Sequence, residues 1–300
     1  MILYSNKGKY LHKKKPSIYV WIKRISLVLL VVSVLVAGGI SLHRYLIKRQ
    51  YDKLAQAVHA TDPAENATTE PSPAATENPT EAPVQAVTEP STEATTVPET
   101  EPQPLPLYVE LHGKNPDYFA WLQVEDTVLD YPIMHTPEDP EKYLHLSFEG
   151  DYYYGGTPFM DYRCSADSDN LIIYGHNMLS GMMFREIIQY ENKAYWQEHP
   201  TIRLVTEFED REFEVLAVFR DRVYYKHEDV FKFYNFIDAE DEAAYYDAIA
   251  NFKAKAIYDT GVDPEYGDQL ITLVTCAYHT ENGRFVVVAC EKDTTNESNG

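Results

Sequence analysis

Cys276 closes the segment Thr272-Leu273-Val274-Thr275-Cys276, and eight residues later Arg284 opens the apolar run Phe285-Val286-Val287-Val288-Ala289. Both runs are rich in β-branched residues and Asn282-Gly283 is a turn signal between them, so the spacing predicts two antiparallel strands joined by a loop from Ala277 to Gly283. In such a hairpin Cys276 and Arg284 lie at one end of the sheet and face one small volume. A thiol attacks carbon as thiolate, and a guanidinium stays charged at any physiological pH. The pair therefore supplies a nucleophile with an anion binder beside it.

A nucleophilic thiol needs a proton partner, and His176 is the best candidate. It follows Asn170-Leu171-Ile172-Ile173-Tyr174-Gly175, a short apolar strand ending in glycine, which places the imidazole at a strand terminus rather than in the core. His112, His135, His145, His199, His227 and His279 sit in polar or mixed stretches, and none forms an HExxH or paired metal-ligand spacing. Taken alone, a cysteine on a strand is ordinarily a small hydrophobe, and a histidine or arginine at a strand end is ordinarily structural or surface charge. Three such groups at strand ends, two of them in one hairpin, shift the reading toward catalysis.

The elements that must position them are short. Val128 to Met134 reads as a strand, and Thr201 to Glu207 with Glu212 to Phe219 alternates like a hairpin around Glu209-Asp210-Arg211. Asp117 to Leu122 reads as the end of a helix. Met182 to Tyr190 reads as a helix with Phe184, Ile187 and Ile188 on one face, and Ala239 to Ala256 as another with Ala243, Tyr246, Ile249, Ala250 and Phe252 at helical spacing. The stretch 107–292 is large enough for one domain with a full core.

The N-terminal third is organised differently. Ile25 to Leu42 is an uncharged apolar run of 18 residues, about 27 Å as a helix, and reads as a membrane-spanning helix. A cleavable signal peptide is the competing reading; the basic cluster directly after the run favours a retained anchor. Seven basic residues precede the run, from Lys7 to Arg24, and four follow it closely, from Arg44 to Lys53, which puts segment 1–24 inside the cell and the rest outside. Segment 43–60 then reads as juxtamembrane. From Thr61 to Pro106 the chain is almost wholly Thr, Glu, Pro, Ala, Ser, Val, Asn and Gln, without an aromatic or basic residue, and reads as a disordered, charge-extended tether. Segment 293–300 is a polar tail. Residues 1–55 hold 11 of the 26 basic residues and one of the 47 acidic ones, so the remainder is strongly acidic and repels a phosphate backbone; nucleic acid is excluded as a partner.

Two pairs of segments, TLVTC followed by GRFVVVA and LIIYGHNM followed by MFREI, resemble the signature regions of the class B sortases, cell-wall transpeptidases of Gram-positive bacteria. Trp121-Leu122 with Tyr131-Pro132-Ile133, Tyr143-Leu144 with Phe148, and Gly156 through Arg163 resemble further blocks of that family in the same order, over roughly residues 107–292.

The resemblance implies a mostly β, largely antiparallel sortase-type barrel with peripheral helices, including an added helix before the strand of the nucleophile. It implies that Cys276 attacks a peptide bond after a threonine in the C-terminal sorting signal of a surface protein, that His176 manages the protons, and that Arg284 stabilises the anionic intermediate. The acyl group would pass through a thioester to an amine of the cell-wall precursor; a pilin lysine is an alternative acceptor, and a non-catalytic stalked wall-binding module is a reading of another class. Tyr174 and Thr275 would line the substrate groove, Tyr174 equally as packing, and the backbone amide of Ala277 is one donor for the oxyanion. No metal or organic cofactor is implied. Many class B members carry an acidic residue where Ala277 stands, and some an asparagine in the region of Glu138-Asp139-Pro140-Glu141, so contacts there do not transfer. With Cys276 reduced, Cys164 and Cys290 are the one pair left to form a disulfide.

Overall fold

The computed structural model describes residues 18–61 and 102–292. The N-terminal basic residues through Ser17, linker positions 62–101 and the tail 293–300 lie outside the described residues. The chain divides into two units, Met1–Asp52 and Lys53–Gly300.

Helix α1 runs over Ile18–Thr61, 44 residues. The apolar run Ile25 to Leu42 lies inside it, and the segment read as juxtamembrane continues the same helix instead of breaking it. Within α1, Trp21–Ala60 is long and apolar enough to cross a membrane, and its most apolar window is not buried at all. Such an apolar surface without protein cover is what a helix surrounded by lipid presents.

The second unit is built on strands β1 (Tyr118–Gln123), β2 (Asp130–Met134), β3 (Phe159–Met160), β4 (Asn170–Tyr174), β5 (Thr201–Val205), β6 (Asp210–Arg222), β7 (Leu270–Cys276) and β8 (Gly283–Glu291). Among the described residues these eight close a barrel in the order β1-β2-β3-β4-β7-β8-β6-β5. The closing ladder pairs β1 with β5, so the sheet has no free edge. Most ladders are antiparallel; β2 with β3 and β4 with β7 are parallel. Helices α2 (Pro106–Lys114), α3 (Lys193–Glu198) and α4 (Glu242–Lys255) are peripheral. β7 is buried from Leu270 through Thr275, which is why it reads as a continuous apolar run rather than an alternating one.

α4 is the helix ahead of the nucleophile strand. The Asp241 side chain caps it by accepting from the Ala244 amide at 2.9 Å. Its buried face, packed on β6, holds Ile249 and Phe252 as the periodicity indicated, but Tyr245 and Ala248 complete it, whereas Ala243, Tyr246 and Ala250 are exposed.

Two readings are corrected. Asp117 to Leu122 is not a helix end: α2 stops at Lys114, and the aromatic run Tyr118-Phe119-Ala120-Trp121-Leu122 forms β1 between β2 and β5. Burial of Trp121, whose indole donates to Asp130 Oδ1 at 2.6 Å, and the β preference of aromatic side chains outweigh any helical continuation. Met182 to Tyr190 is not an α-helix either. Met183 adopts φ 57° and bridges back to Asn177, so helical backbone begins only with the 3₁₀ segment Glu186–Glu191. Met182, Met183 and Phe184 are buried ahead of that segment and Ile187 and Tyr190 within it, a spacing of three that suits the 3₁₀ form better than the α form.

Phe184 braces the end of β4. Its fully buried ring lies over Gly175, and a Cβ at position 175 would land on that ring. The Phe184 amide also donates to the His176 carbonyl at 3.0 Å, fastening the chain just beyond the strand. Gly175→Ala is expected to cost about 1–3 kcal/mol through overpacking, read as a lowered unfolding midpoint in denaturant, and to reduce activity through its neighbour.

Candidate active site

The parallel ladder between β4 and β7 pairs Tyr174 with Val274. Parallel strands end on the same side of a sheet, so two residues further along each chain His176 and Cys276 emerge at one rim of the barrel. The antiparallel ladder between β7 and β8 sets Cys276 directly opposite Arg284. The next pair, Ala277 with Gly283, exchanges a backbone hydrogen bond of 3.0 Å, so Cys276 and Arg284 form the non-hydrogen-bonded kind of pair, with Cα atoms about 4.5 Å apart and side chains on one face. All three residues line one cleft of about 360 Å³, as do Tyr174 and Thr275. The five positions singled out in the sequence thus converge.

His176 is held on three sides. Its Nε2 is 3.0 Å from the Leu144 carbonyl oxygen. A carbonyl only accepts, so Nε2 carries the proton, and in the neutral ring Nδ1 keeps the lone pair a base requires. The His145 ring stacks on it at 5.5 Å and 15°, and the Tyr154 ring lies at 6.1 Å and 18°. Burial pushes the His176 pKa below the ordinary histidine value, the neighbouring His145 adds to that, and the bond to Leu144 opposes both without cancelling them. The resting imidazole is therefore biased toward its neutral form. Among the described residues no hydrogen bond joins it to the Cys276 sulfur, so proton transfer between them would pass through one water or follow a tightening of the cleft around substrate.

The nucleophile's strand end is anchored to the turn that carries His176. Thr275 is buried and its hydroxyl donates to the Gly175 carbonyl at 2.7 Å, so this side chain shapes the cleft with its donor already committed. Asn177 Nδ2 donates to the Cys276 carbonyl at 2.8 Å, and Arg185 donates to Asn177 Oδ1 at 3.1 Å. The Ala277 amide donates to Gly283, which leaves it no proton for an oxyanion in this conformation. Gly283 is where the close approach occurs, since a Cβ there would strike the Ala277 carbonyl. Arg284 Nη1 donates to its own turn, to the Gly283 carbonyl at 3.0 Å and the Asn282 carbonyl at 3.3 Å, which holds the guanidinium at the cleft wall.

On the opposite wall, Tyr174 presents its ring to the cleft while its hydroxyl donates to Asp161 Oδ2 at 2.9 Å. Burial alone would raise the Asp161 carboxyl, but the two-pronged hydrogen bond from Arg163 and the bond from Tyr174 outweigh it and hold the group ionised below the usual carboxylate range. Sequence reasoning found neither Asp161 nor Asn177, and passed over His145 and the Leu144 carbonyl. A backbone acceptor leaves no residue-type signal. Asn177 had only its adjacency to His176 to mark it.

All three cysteines are free thiols, so the Cys164–Cys290 disulfide does not form here. Cys164 donates to the Asn170 carbonyl and Cys290 faces Asp268. Burial pushes the Cys164 thiol up to about 11, and burial with the Asp268 charge raises Cys290 further. Cys276 is the partly exposed one of the three. Among the described residues no group of three or more His, Cys, Asp or Glu is arranged to hold a metal ion.

Residues 122–292 match the family model described as the sortase domain. The chain is 32% identical over 184 residues to sortase B of Listeria monocytogenes, an alignment that covers 59% of this chain and 71% of that protein. It is similar to the solved structure of a cysteine-to-serine mutant of Clostridium perfringens sortase B, with 28% identity and a TM-score of 0.56 over 62% of this chain and 87% of that one. A sortase B solved as a complex with triglycine is 25% identical, with a TM-score of 0.56 over 63% and 87% of the two chains.

Two measurements probe the site without assuming a substrate. A thiol-reactive probe under native conditions is expected to label Cys276 and spare Cys164 and Cys290, as read by mass mapping, and Cys276→Ala should remove the label. In a histidine-ring NMR titration, His176 should protonate below the ordinary value of about 6.5. Because the unfolded chain then binds the proton more readily, this group's contribution makes stability fall as pH drops from that ordinary value toward the lower folded one; a midpoint above about 6.5 would contradict the burial argument.

Proposed function

Because this chain belongs to the sortase family of cysteine transpeptidases, and within it to class B, we propose that it cleaves a C-terminal sorting signal after threonine and transfers the acyl group to an amine of the cell-wall precursor. The observation that carries this reading is the convergence of Cys276, His176 and Arg284 in one cleft through two ladders of fixed register.

The chemistry follows from the geometry. As the Cys276 sulfur bonds to the threonine carbonyl carbon, neutral His176 takes the thiol proton at the nitrogen not bonded to Leu144, and the carbonyl oxygen becomes an anion beside Arg284. With the Ala277 amide committed to Gly283, Arg284 is the principal source of stabilisation for that anion in the resting arrangement. Collapse breaks the carbon–nitrogen bond, and the imidazolium hands its proton to the departing amine, leaving a thioester. The incoming amine then adds to the thioester carbonyl while His176 accepts its proton, and expulsion of the sulfur, reprotonated by the same imidazolium, returns the resting pair. The aromatic face of Tyr174 lines the groove beside this centre, with Thr275 fixing its wall. The relative solved with triglycine supports an amine-bearing peptide as the acceptor.

The N-terminal segment fits the same task. Residues 1–24 would form a basic cytoplasmic tail, 25–42 the single-pass membrane span inside α1, 43–60 the juxtamembrane segment, 61–106 the tether and 107–292 the extracellular catalytic region, because positive charge is denser before the apolar run than after it.

The test is transpeptidation by the full chain in detergent micelles, supplied with a library of threonine-containing sorting peptides and a triglycine acceptor. Mass spectrometry should show a product joined at threonine, and Cys276→Ala should form none. Arg284→Ala is expected to lower turnover by about a hundredfold or more; near-normal rates would return Arg284 to a structural role. Hydrolysis at the same rate with and without amine would reject transpeptidation.

A further inference from the structure

We propose that His145 is a positioning residue for the catalytic imidazole, its ring stacked on His176 so as to fix the plane in which the proton is exchanged. The proposal rests on His176 acting as the proton carrier, and it adds a residue that no motif marks.

The Leu144-His145 dipeptide touches His176 twice. The Leu144 carbonyl accepts a hydrogen bond from Nε2 at the ring's edge, and the adjoining His145 ring lies nearly parallel to it in offset stacking, centroids 5.5 Å apart. An edge contact alone leaves a ring free to rock about the hydrogen bond; an offset-stacked neighbour restricts that motion. Stacking of this kind contributes through area and quadrupole geometry, and its orientation is set by whatever holds the second ring.

His145 is itself well held. Its Nδ1 lies 3.1 Å from the Tyr154 carbonyl oxygen, its own carbonyl accepts from the Tyr153 amide at 2.9 Å, and its ring stacks on Tyr154 at 5.7 Å and 18°. Leu146 and Tyr152 form a bridge just beyond, so the segment from 145 to 154 closes on itself. Gly156, at φ 59°, completes the frame: a Cβ there would run into the Tyr143 and Leu144 carbonyls, the second of which accepts the hydrogen bond from His176. The catalytic ring is thus seated by a loop distant in sequence from both strands that carry the nucleophile and the guanidinium.

Charge gives the arrangement a second consequence. The groups that face His176 are His145 and Tyr154 from this loop, Glu141 from the cleft rim, Tyr174 from β4, and Cys276 and Arg284 from β7 and β8; the Asp161 carboxylate behind Tyr174 is taken by Arg163. His145 is the nearer of the two rings stacked beside it, and when protonated it makes a proton on His176 less favourable.

The experiment compares the full chain with His145→Ala and His145→Phe, with the His176 ring signal assigned through His176→Gln. In the transpeptidation assay, His145→Ala should lower kcat by about tenfold or more with KM little changed, because orientation is lost while the groove is intact. His145→Phe keeps a flat ring and should recover most of that loss, while raising the His176 titration midpoint because the cationic neighbour is gone. Unfolding midpoints of both variants separate a folding defect from a positioning one. Equal loss of kcat in both variants, or His176 ring shifts and midpoint unchanged in both, would overturn the proposal. Should the unmodified chain transfer no peptide, the functional reading fails, and the His176 midpoint and ring shifts alone still decide whether His145 governs that ring.

Discussion

The parallel pairing of β4 with β7 is the constraint on which the site depends. Its register, Tyr174 against Val274, sets the end of β4 level with a point two residues before the end of β7, and the site then depends on what each chain does in its next two residues. A slip of one residue would turn Cys276 to the other face of the sheet and remove it from His176, because side chains alternate along a strand. The register is secured at its end by three bonds between the same segments: the Gly175 backbone amide to the Val274 carbonyl, the Thr275 hydroxyl to the Gly175 carbonyl, and the Asn177 side-chain Nδ2 to the Cys276 carbonyl. Burial of Leu171 to Ile173 and Ile271 to Val274 makes any alternative pairing costly.

The antiparallel partner of β7 adds the charge. Opposite pairing holds Cys276 and Arg284 on one face, and the turn that joins them keeps the guanidinium near the cleft by giving it two carbonyls to bond. That turn also engages the Ala277 amide, one possible oxyanion donor, so in the resting arrangement the proposed stabilisation of the anion falls to the Arg284 side chain. Desolvation then biases His176 toward neutrality, which suits the proposed role of first accepting a proton and later releasing it. The barrel supplies rigidity, and the loop from Leu144 to Gly156 supplies orientation.

Much of this was legible in the residues. The Cys276 to Arg284 hairpin followed from β-branched runs and an Asn-Gly turn, and β5 with β6 from plain alternation. His176 was found because a glycine ended an apolar strand just before it. What the sequence left hidden has physical reasons. The parallel ladder joins segments a hundred residues apart, which no local period encodes. Tyr118 to Leu122 owes its strand to two neighbours in the barrel, so its local reading as a helix end failed. The 3₁₀ spacing of Phe184, Ile187 and Tyr190 passes for an α-helical face over so short a span. His145 sits in a mixed stretch with no periodicity, and its importance appears only once the loop closes on His176.

The most direct test of the central claim is an experimental crystal structure of the catalytic region with Cys276 reduced, measuring the separation between the His176 ring nitrogens and the Cys276 sulfur. The register argument predicts a nitrogen within direct or single-water reach of the sulfur, about 3 to 6 Å, with the guanidinium of Arg284 on the same side. A separation beyond about 10 Å, too far to close by modest tightening around a substrate, would contradict it.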